Sequence, residues 1–223
     1  MTRDDISAAL DRLYQIYEDR VSAGVPAVCR PGCCTCCTRN VILTSLEGYR
    51  LISYLSRIGR PELLQKVRAE AGRGRFIPSL TTNQIAALCA GGMEIPEESM
   101  DSSHGSCPLL EDGLCTVYPA RPFGCRCMLS LSSCEEKGFA EVDDYLLTVN
   151  QVFLQTIEHL DAGGYTANLT DMLLHLSRRA EGSAGDLAGR VANMPIPVLM
   201  IPPEHRERIR PILEAIYSIR VGD

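Results

Sequence analysis

The most distinctive stretch of the chain reads Cys29-Arg-Pro-Gly-Cys33-Cys34-Thr-Cys36-Cys37. Two Cys-x-x-Cys pairs overlap in it, Cys33 with Cys36 and Cys34 with Cys37. Such a turn lets two thiolates converge on one metal ion, because the two intervening residues close a tight loop. A single tetrahedral ion takes only four ligands. The five cysteines of this stretch therefore predict either two metal centres or one polynuclear cluster, with any spare sulfur left unligated.

A second group of cysteines lies further along the chain and can supply the remaining ligands. An Asp112-Gly113 turn between two short apolar runs predicts a β-hairpin. The hairpin fixes the position of Cys107 relative to Cys115, and the rigid Arg121-Pro122 segment that follows presents Cys125. The group consists of Cys107, Cys115, Cys125, Cys127 and Cys134.

Cysteine usage and the N-terminal residues predict the cellular compartment of the protein. The chain has 11 cysteines, an odd number, so at least one is left over from full disulfide pairing. In a reducing cytosol a cysteine cluster is more often metal-binding or catalytic than disulfide-bonded. No signal peptide opens the chain, and no apolar run approaches the ~20 residues that span a bilayer. These features predict a cytoplasmic metalloprotein with no membrane contact, ahead of a thiol redox enzyme or a disulfide scaffold.

Composition and missing motifs exclude several other functions. The net charge is -6, which argues against a broad nucleic-acid-binding face. Neither a Walker-type phosphate loop nor a Gly-x-Ser-x-Gly elbow occurs. Nothing in the sequence supports hydrolysis by serine, histidine or carboxylates. We therefore expect no nucleic-acid partner, and the redox or protein partner stays unknown.

Helical periodicity dominates the chain outside the cysteines. A capping box, Thr44 to Glu47, opens one helix that runs to about Arg57. We predict a mainly α fold with a small β-hairpin, in which a cysteine-rich metal-binding core (1–140) joins a helical C-terminal extension (141–223) in one compact unit. Further helices are predicted at Ile6–Val21, from Pro61, after an N-cap at Thr82, at Val142–Leu160, at Leu169–Arg179, and at Pro203–Ile219 with Pro211 kinking or dividing it.

Two arginines and several other residues have roles that the pattern alone does not fix. Arg121 and Arg126 flank Cys125 and can offset the negative charge of clustered thiolates, or can simply pair with nearby acidic residues. His104, three residues before Cys107, is either a ligand or a solvated loop residue. Cys89 falls on an apolar helical face and is predicted to be a core residue.

At these residues the chain resembles the CxxCxxCC, or YkgJ-type, cysteine-cluster family of zinc- or iron-chelating domains. One matching block is the cysteine-rich loop with the Leu43-Thr-Ser-Leu-Glu47 that follows it. The other is the long segment from Cys107-Pro-Leu-Leu-Glu-Asp-Gly-Leu-Cys115 through Thr-Val-Tyr-Pro-Ala-Arg-Pro-Phe-Gly-Cys125-Arg126. Together they cover about half the chain.

The resemblance implies metal ligands but says little about a reaction. The ligands that it implies are Cys33, Cys36, Cys37, Cys107, Cys115 and Cys125, with Cys29 one residue further from Cys33 than the family pattern has it. Cys34, Cys127 and Cys134 lie outside that pattern. We favour an iron–sulfur cluster with an electron-transfer or redox role, such as that of an iron–sulfur oxidoreductase, because the vicinal cysteines fit a multinuclear centre. The alternatives are a structural zinc module, and a metal carrier or sensor.

Overall fold

The computed structural model describes residues 2–30, 32–98, 105–180, 182 and 189–219. Helices make up about half of this part of the chain, and all 11 cysteines lie between Cys29 and Cys134. This confirms the predicted fold class. The helices are α1 (Arg3–Arg20), α2 (Ser45–Arg57), α3 (Glu62–Ala69), α4 (Thr82–Ala90), α5 (Phe123–Arg126), α6 (Cys134–Lys137), α7 (Asp144–Leu160), α8 (Leu169–Ala180) and α9 (Arg206–Tyr217).

Two small antiparallel sheets complete the described fold. The predicted hairpin is present as β2 (Leu110–Glu111) and β3 (Leu114–Cys115). The other sheet was not predicted, and it places β4 (Tyr165–Asn168) between β1 (Ile42–Thr44) and β5 (Val191–Ala192). It therefore ties the cysteine-bearing part of the chain to the second half.

One hydrophobic core holds α5, which carries Cys125, against the long helices. Phe123 is fully buried and stacks on Phe153 of α7 with ring centroids 5.4 Å apart. Tyr17 of α1 meets both rings edge-on, at centroid distances of 4.8 and 5.1 Å. Aromatic pairs in these geometries stabilise a core beyond their buried area. Residues of α9 close the same core from the other side.

A second core packs α2, α3 and α8 beneath the hairpin. Leu109, just before β2, is buried in it with Leu51 of α2 and Leu173 of α8. Gly48 permits the close approach of α2 to α8, since a Cβ there would lie 2.7 Å from Cγ of Met172. The hairpin is thus seated on a rigid helical layer.

The structure differs from the sequence prediction in three details. Helix α9 runs through Pro211, so a division there is wrong, while the alternative of a kink stays a prediction. The N-cap of α4 is Thr81, one residue before the predicted position, and its side chain accepts from Gln84 N. Cys89 is exposed in the last turn of α4, as is Ala90 beside it, and is not a core residue. No helix among the described residues is long and apolar enough to cross a membrane.

Candidate metal centre

Two tight turns shape the cysteine-rich loop, of which all residues but 31 are described. Cys33 N donates to Arg30 O at 2.9 Å, and Cys37 N donates to Cys34 O at the same distance. Gly32 adopts a φ of +88°, in the left-handed region that favours glycine. The turns fold five cysteines into a compact loop.

Both ends of this loop are fixed by hydrogen bonds. At the first end, Val28 N donates to Ser130 O at 2.9 Å, and Ser130 N donates to Cys29 Sγ at 3.3 Å. At the second end, Cys107 N donates to Cys37 O at 2.8 Å, which joins the loop to the start of the hairpin. The loop is therefore held between the hairpin and the segment that follows α5.

The hairpin positions two cysteines: Cys107 lies just before β2, and Cys115 ends β3. Its turn residues Asp112 and Gly113 have φ values of 50° and 76°, as a two-residue turn between strands of this twist requires. Leu110 pairs with Cys115 across the strands. The turn also approaches the loop, because a Cβ built on Gly113 would lie 3.8 Å from Cys34 Sγ.

Cys125 is held in place by a buried carboxylate that acts at the start of α5. Glu47 is buried, and its Oε1 accepts from Phe123 N and from the Tyr14 hydroxyl, each at 2.7 Å. Its Oε2 accepts from Thr44 N at 2.9 Å, as the predicted capping box requires. One side chain thus connects α1, the start of α2 and the start of α5.

Electrostatic proximity divides eight thiols into two neighbouring groups. Burial and then the neighbouring sulfurs of Cys29, Cys36 and Cys134 raise the pKa of Cys33. Burial and then Cys107, Cys115 and Cys127 raise the pKa of Cys125 well above its ordinary value. Cys127 is left out of the two sets below because its buried thiol donates to Gly124 O at 3.5 Å. We call Cys29, Cys33, Cys36 and Cys134 the loop thiol set, and Cys37, Cys107, Cys115 and Cys125 the hairpin thiol set.

Cys36 and Cys37 join these two sets. The Cys37 thiol donates a hydrogen bond to Cys36, which lowers the pKa of Cys36 to about 6 and raises that of Cys37. Cys37 also lies within electrostatic range of Cys125 and Cys107. Burial raises the pKa of Cys107 to about 11. Because burial keeps such thiols protonated, a bound cation is what would convert them to thiolates.

The Arg121 guanidinium lies within electrostatic range of thiols in both sets. Its charge lowers the pKa of Cys36, although the Cys37 hydrogen bond has the larger effect, and it opposes the rise at Cys115 and Cys125. The guanidinium lies 4.0 Å above the Tyr118 ring. Its Nε is buried without a hydrogen-bond partner in the described part of the chain. A centre of several thiolates fits this environment, since its net negative charge would face a cation with an unused N–H.

Arg126 occupies a different position, although it flanks Cys125 in the same way. Its side chain is buried and donates from Nε to Arg121 O at 2.9 Å and from Nη2 to Pro119 O at 2.6 Å. It also pairs with Glu18 of α1. These contacts clamp the segment before Cys125 onto α1, and a direct role of Arg126 toward a cofactor stays a prediction.

The ligand assignment of the seven predicted cysteines also stays a prediction. Among the described residues, no three or more His, Cys, Asp or Glu side chains are arranged to hold a metal ion as they stand. All 11 thiols are free of disulfides. His104 lies outside the described residues. Cys134, a candidate ligand that the family pattern leaves out, is buried in α6 and lies within electrostatic range of Cys33 in the loop.

The region that contains both thiol sets matches a known family. Residues 28–145, more than half the chain, match the CxxCxxCC family, which is described as a putative zinc- or iron-chelating domain. The chain belongs to this family. The resemblance drawn from the two cysteine blocks is thereby confirmed, and membership supports metal binding by the cysteine-bearing part. No curated protein and no solved structure matches the chain.

Proposed function

We propose that this CxxCxxCC-family protein carries an iron–sulfur cluster and transfers electrons or supports a redox reaction. The observation that carries the proposal is the position of Arg121. One guanidinium with a buried, unpartnered Nε faces thiols from the loop, the hairpin and α5. Because a redox centre gains negative charge on reduction, a nearby cation would stabilise its reduced state.

The number and connection of the thiols also favour a cluster over one closed zinc ion. Four thiolates saturate tetrahedral zinc, yet the two sets hold eight thiols joined at Cys36 and Cys37. Iron–sulfur clusters are held by cysteine thiolates. The residues that would hold the cluster are Cys37, Cys107, Cys115 and Cys125, with Cys29, Cys33 and Cys36 as ligands of a larger or second centre.

The protein's own residues would then tune and expose the centre. A bound cluster supplies one-electron chemistry. Arg121 would stabilise the more negative, reduced charge state, while the buried Phe123, two residues before Cys125, would limit access of water from the core side. Cys33 is exposed, so the loop is the side from which a redox partner would approach. The proposal places the protein in the cytoplasm, where its free thiols would persist.

Metal and acid-labile sulfide content tests this proposal directly. The protein is purified without oxygen, analysed for iron, zinc and sulfide, and examined by visible absorption. We expect a brown protein with iron and sulfide whose colour bleaches with dithionite. A colourless protein that retains zinc would overturn the redox proposal and would indicate a structural or carrier site.

Replacing Arg121 with Gln is expected to make the reduction potential of the cluster more negative. The variant removes the positive charge that favours the reduced state, while Gln keeps a side chain of similar length. The measurement is a spectroelectrochemical titration of wild-type and variant protein with equal iron content. Arg12→Gln, at an exposed position of α1, removes the same net charge and should leave the potential unchanged. Equal shifts in both variants would show that Arg121 has no specific effect.

A further inference from the structure

A cavity lined by three arginines lies beside the thiols. It has a volume of about 350 Å³ and is bounded by α1, α2 and the segment that leads into α5. Arg50, Arg121 and Arg126 all line it, together with the rings of Tyr14 and Tyr118. We call this cavity the arginine pocket. Such a concentration of positive charge is unusual in a chain whose net charge is -6.

The acidic residues of the pocket do not balance its three guanidinium groups. Arg50 pairs with Asp11 through Nε at 2.8 Å, and Arg126 pairs with Glu18. Arg121 has no acidic partner among the described residues. Both paired acids are about half exposed, with side-chain exposures of 58% and 48%, so solvent weakens their compensation. The pocket therefore keeps a surplus of positive charge.

The arginines are also crowded together. The guanidinium carbons of Arg50 and Arg126 lie 5.0 and 4.4 Å from the centroid of the same Tyr14 ring. Two like charges so close to one ring repel each other. A bound anion would relieve this mutual repulsion.

Two donors at the pocket lack acceptors. Nη1 of Arg50 and Nε of Arg121 are both buried and have no hydrogen-bond partner in the described part of the chain. Buried donors are nearly always paired in folded proteins, so two such groups on neighbouring arginines require an explanation. A ligand oxygen that draws these guanidinium groups toward it would provide the missing acceptors.

We propose that the arginine pocket binds the carboxylate or phosphate group of a small organic anion. The planar fork of arginine matches both groups in bidentate geometry. A second cavity of about 480 Å³ shares Asp11 and Arg50 with the pocket and extends along α2 past Leu46 and Tyr54. This second cavity gives the apolar or aromatic body of the ligand a place next to its anionic group.

Binding in the pocket does not depend on which metal the cysteines hold. Nε of Arg121 is the one donor that both proposals use, whereas the unpartnered Nη1 of Arg50 serves the pocket alone. The proposal therefore stands apart from the iron–sulfur proposal. A zinc-containing protein that binds the anion would retain this inference and end the other.

Isothermal titration calorimetry at low ionic strength tests the pocket, with phenyl phosphate and phenylacetate as probes on protein purified with its metal. We expect at least one probe to bind. The probe with the higher affinity identifies the anionic group. Inorganic phosphate and acetate, which lack the ring, should bind at least about tenfold more weakly than the matching probe, as lost ring contacts predict. Absence of binding by both aromatic probes would overturn the proposal.

Two variants with opposite expected effects on the affinity for the probe locate the binding site. Arg50→Gln should weaken the better probe by about tenfold or more, since a charge-assisted bidentate contact is lost. Asp11→Asn should tighten it, because the acid that competes for Arg50 loses its charge. Asp11→Asn also keeps the test decisive if Arg50→Gln folds poorly. Arg12→Gln removes the same net charge outside both cavities and should not alter affinity. An equal loss in Arg12→Gln, or no change in either pocket variant, would overturn the assignment.

Discussion

Replacing Glu47 with Gln is expected to lower the free energy of unfolding by about 3 kcal/mol, a large share of the stability of a domain. Both carboxylate oxygens of Glu47 are in use, Oε1 by Phe123 N and the Tyr14 hydroxyl, and Oε2 by Thr44 N and Oγ1. A Gln side chain offers only one acceptor oxygen. Its amide NH₂ must face one of the two donor pairs.

The loss falls on a backbone N–H whichever way the amide turns. A hydroxyl can rotate and accept from the new NH₂, but the N–H of Thr44 or Phe123 cannot. That group is left buried without an acceptor, and the bonds that remain lose the assistance of a negative charge. Since Phe123 N begins the helix that carries Cys125, we also expect weaker retention of metal.

Urea denaturation of wild-type and variant protein with matched metal content gives the stability difference. The matched control is Glu62→Gln at the start of α3, where the exposed carboxylate pairs with Arg60. Exposed pairs contribute little, so this variant should stay within about 0.5 kcal/mol of wild type. If Glu47→Gln is equally mild, Glu47 does not hold the three segments together.

Features set by neighbouring residues could be predicted from the sequence. The capping box from Thr44 to Glu47 and the Asp112-Gly113 hairpin each depend on residues a few positions apart, and both are present. Glu47 also accepts a hydrogen bond from Phe123 N, 76 residues further along the chain. A local pattern contains no information about such a partner, so the sequence identified the cap but not the link to α5.

The short strands and the two arginines show the same limit. Strand β1 has three residues and β5 has two, which is too short for an alternating pattern, so the sheet that joins the two halves was missed.

Arg121 and Arg126 flank Cys125 alike in sequence. In the fold, Arg121 precedes α5 and faces the thiols, whereas Arg126 ends α5 and turns to Glu18 of α1. A helix of four residues gives no periodicity from which those directions could be read.

Separate replacement of Cys36 and Cys37 with Ser is expected to lower the metal content in both variants. Serine keeps the size of the side chain but replaces a soft thiolate with a poor ligand for iron or zinc. Even residues that only support a ligand lower metal affinity by roughly 10- to 100-fold when changed, so a lost ligand should do at least as much. Cys37 contributes to the hairpin thiol set, whereas Cys36 contributes to the loop thiol set.

Metal stoichiometry in the two variants then counts the centres. If the sets hold one shared polynuclear cluster, each substitution should remove nearly all of the metal. If each set holds its own centre, each substitution should remove one part and leave the other. Cys89→Ser is the matched control, because Cys89 is exposed at the end of α4 and belongs to neither set. Unchanged metal content in either the Cys36 or the Cys37 variant would show that this vicinal pair does not bridge the site. The eight thiols would then have to be divided in another way.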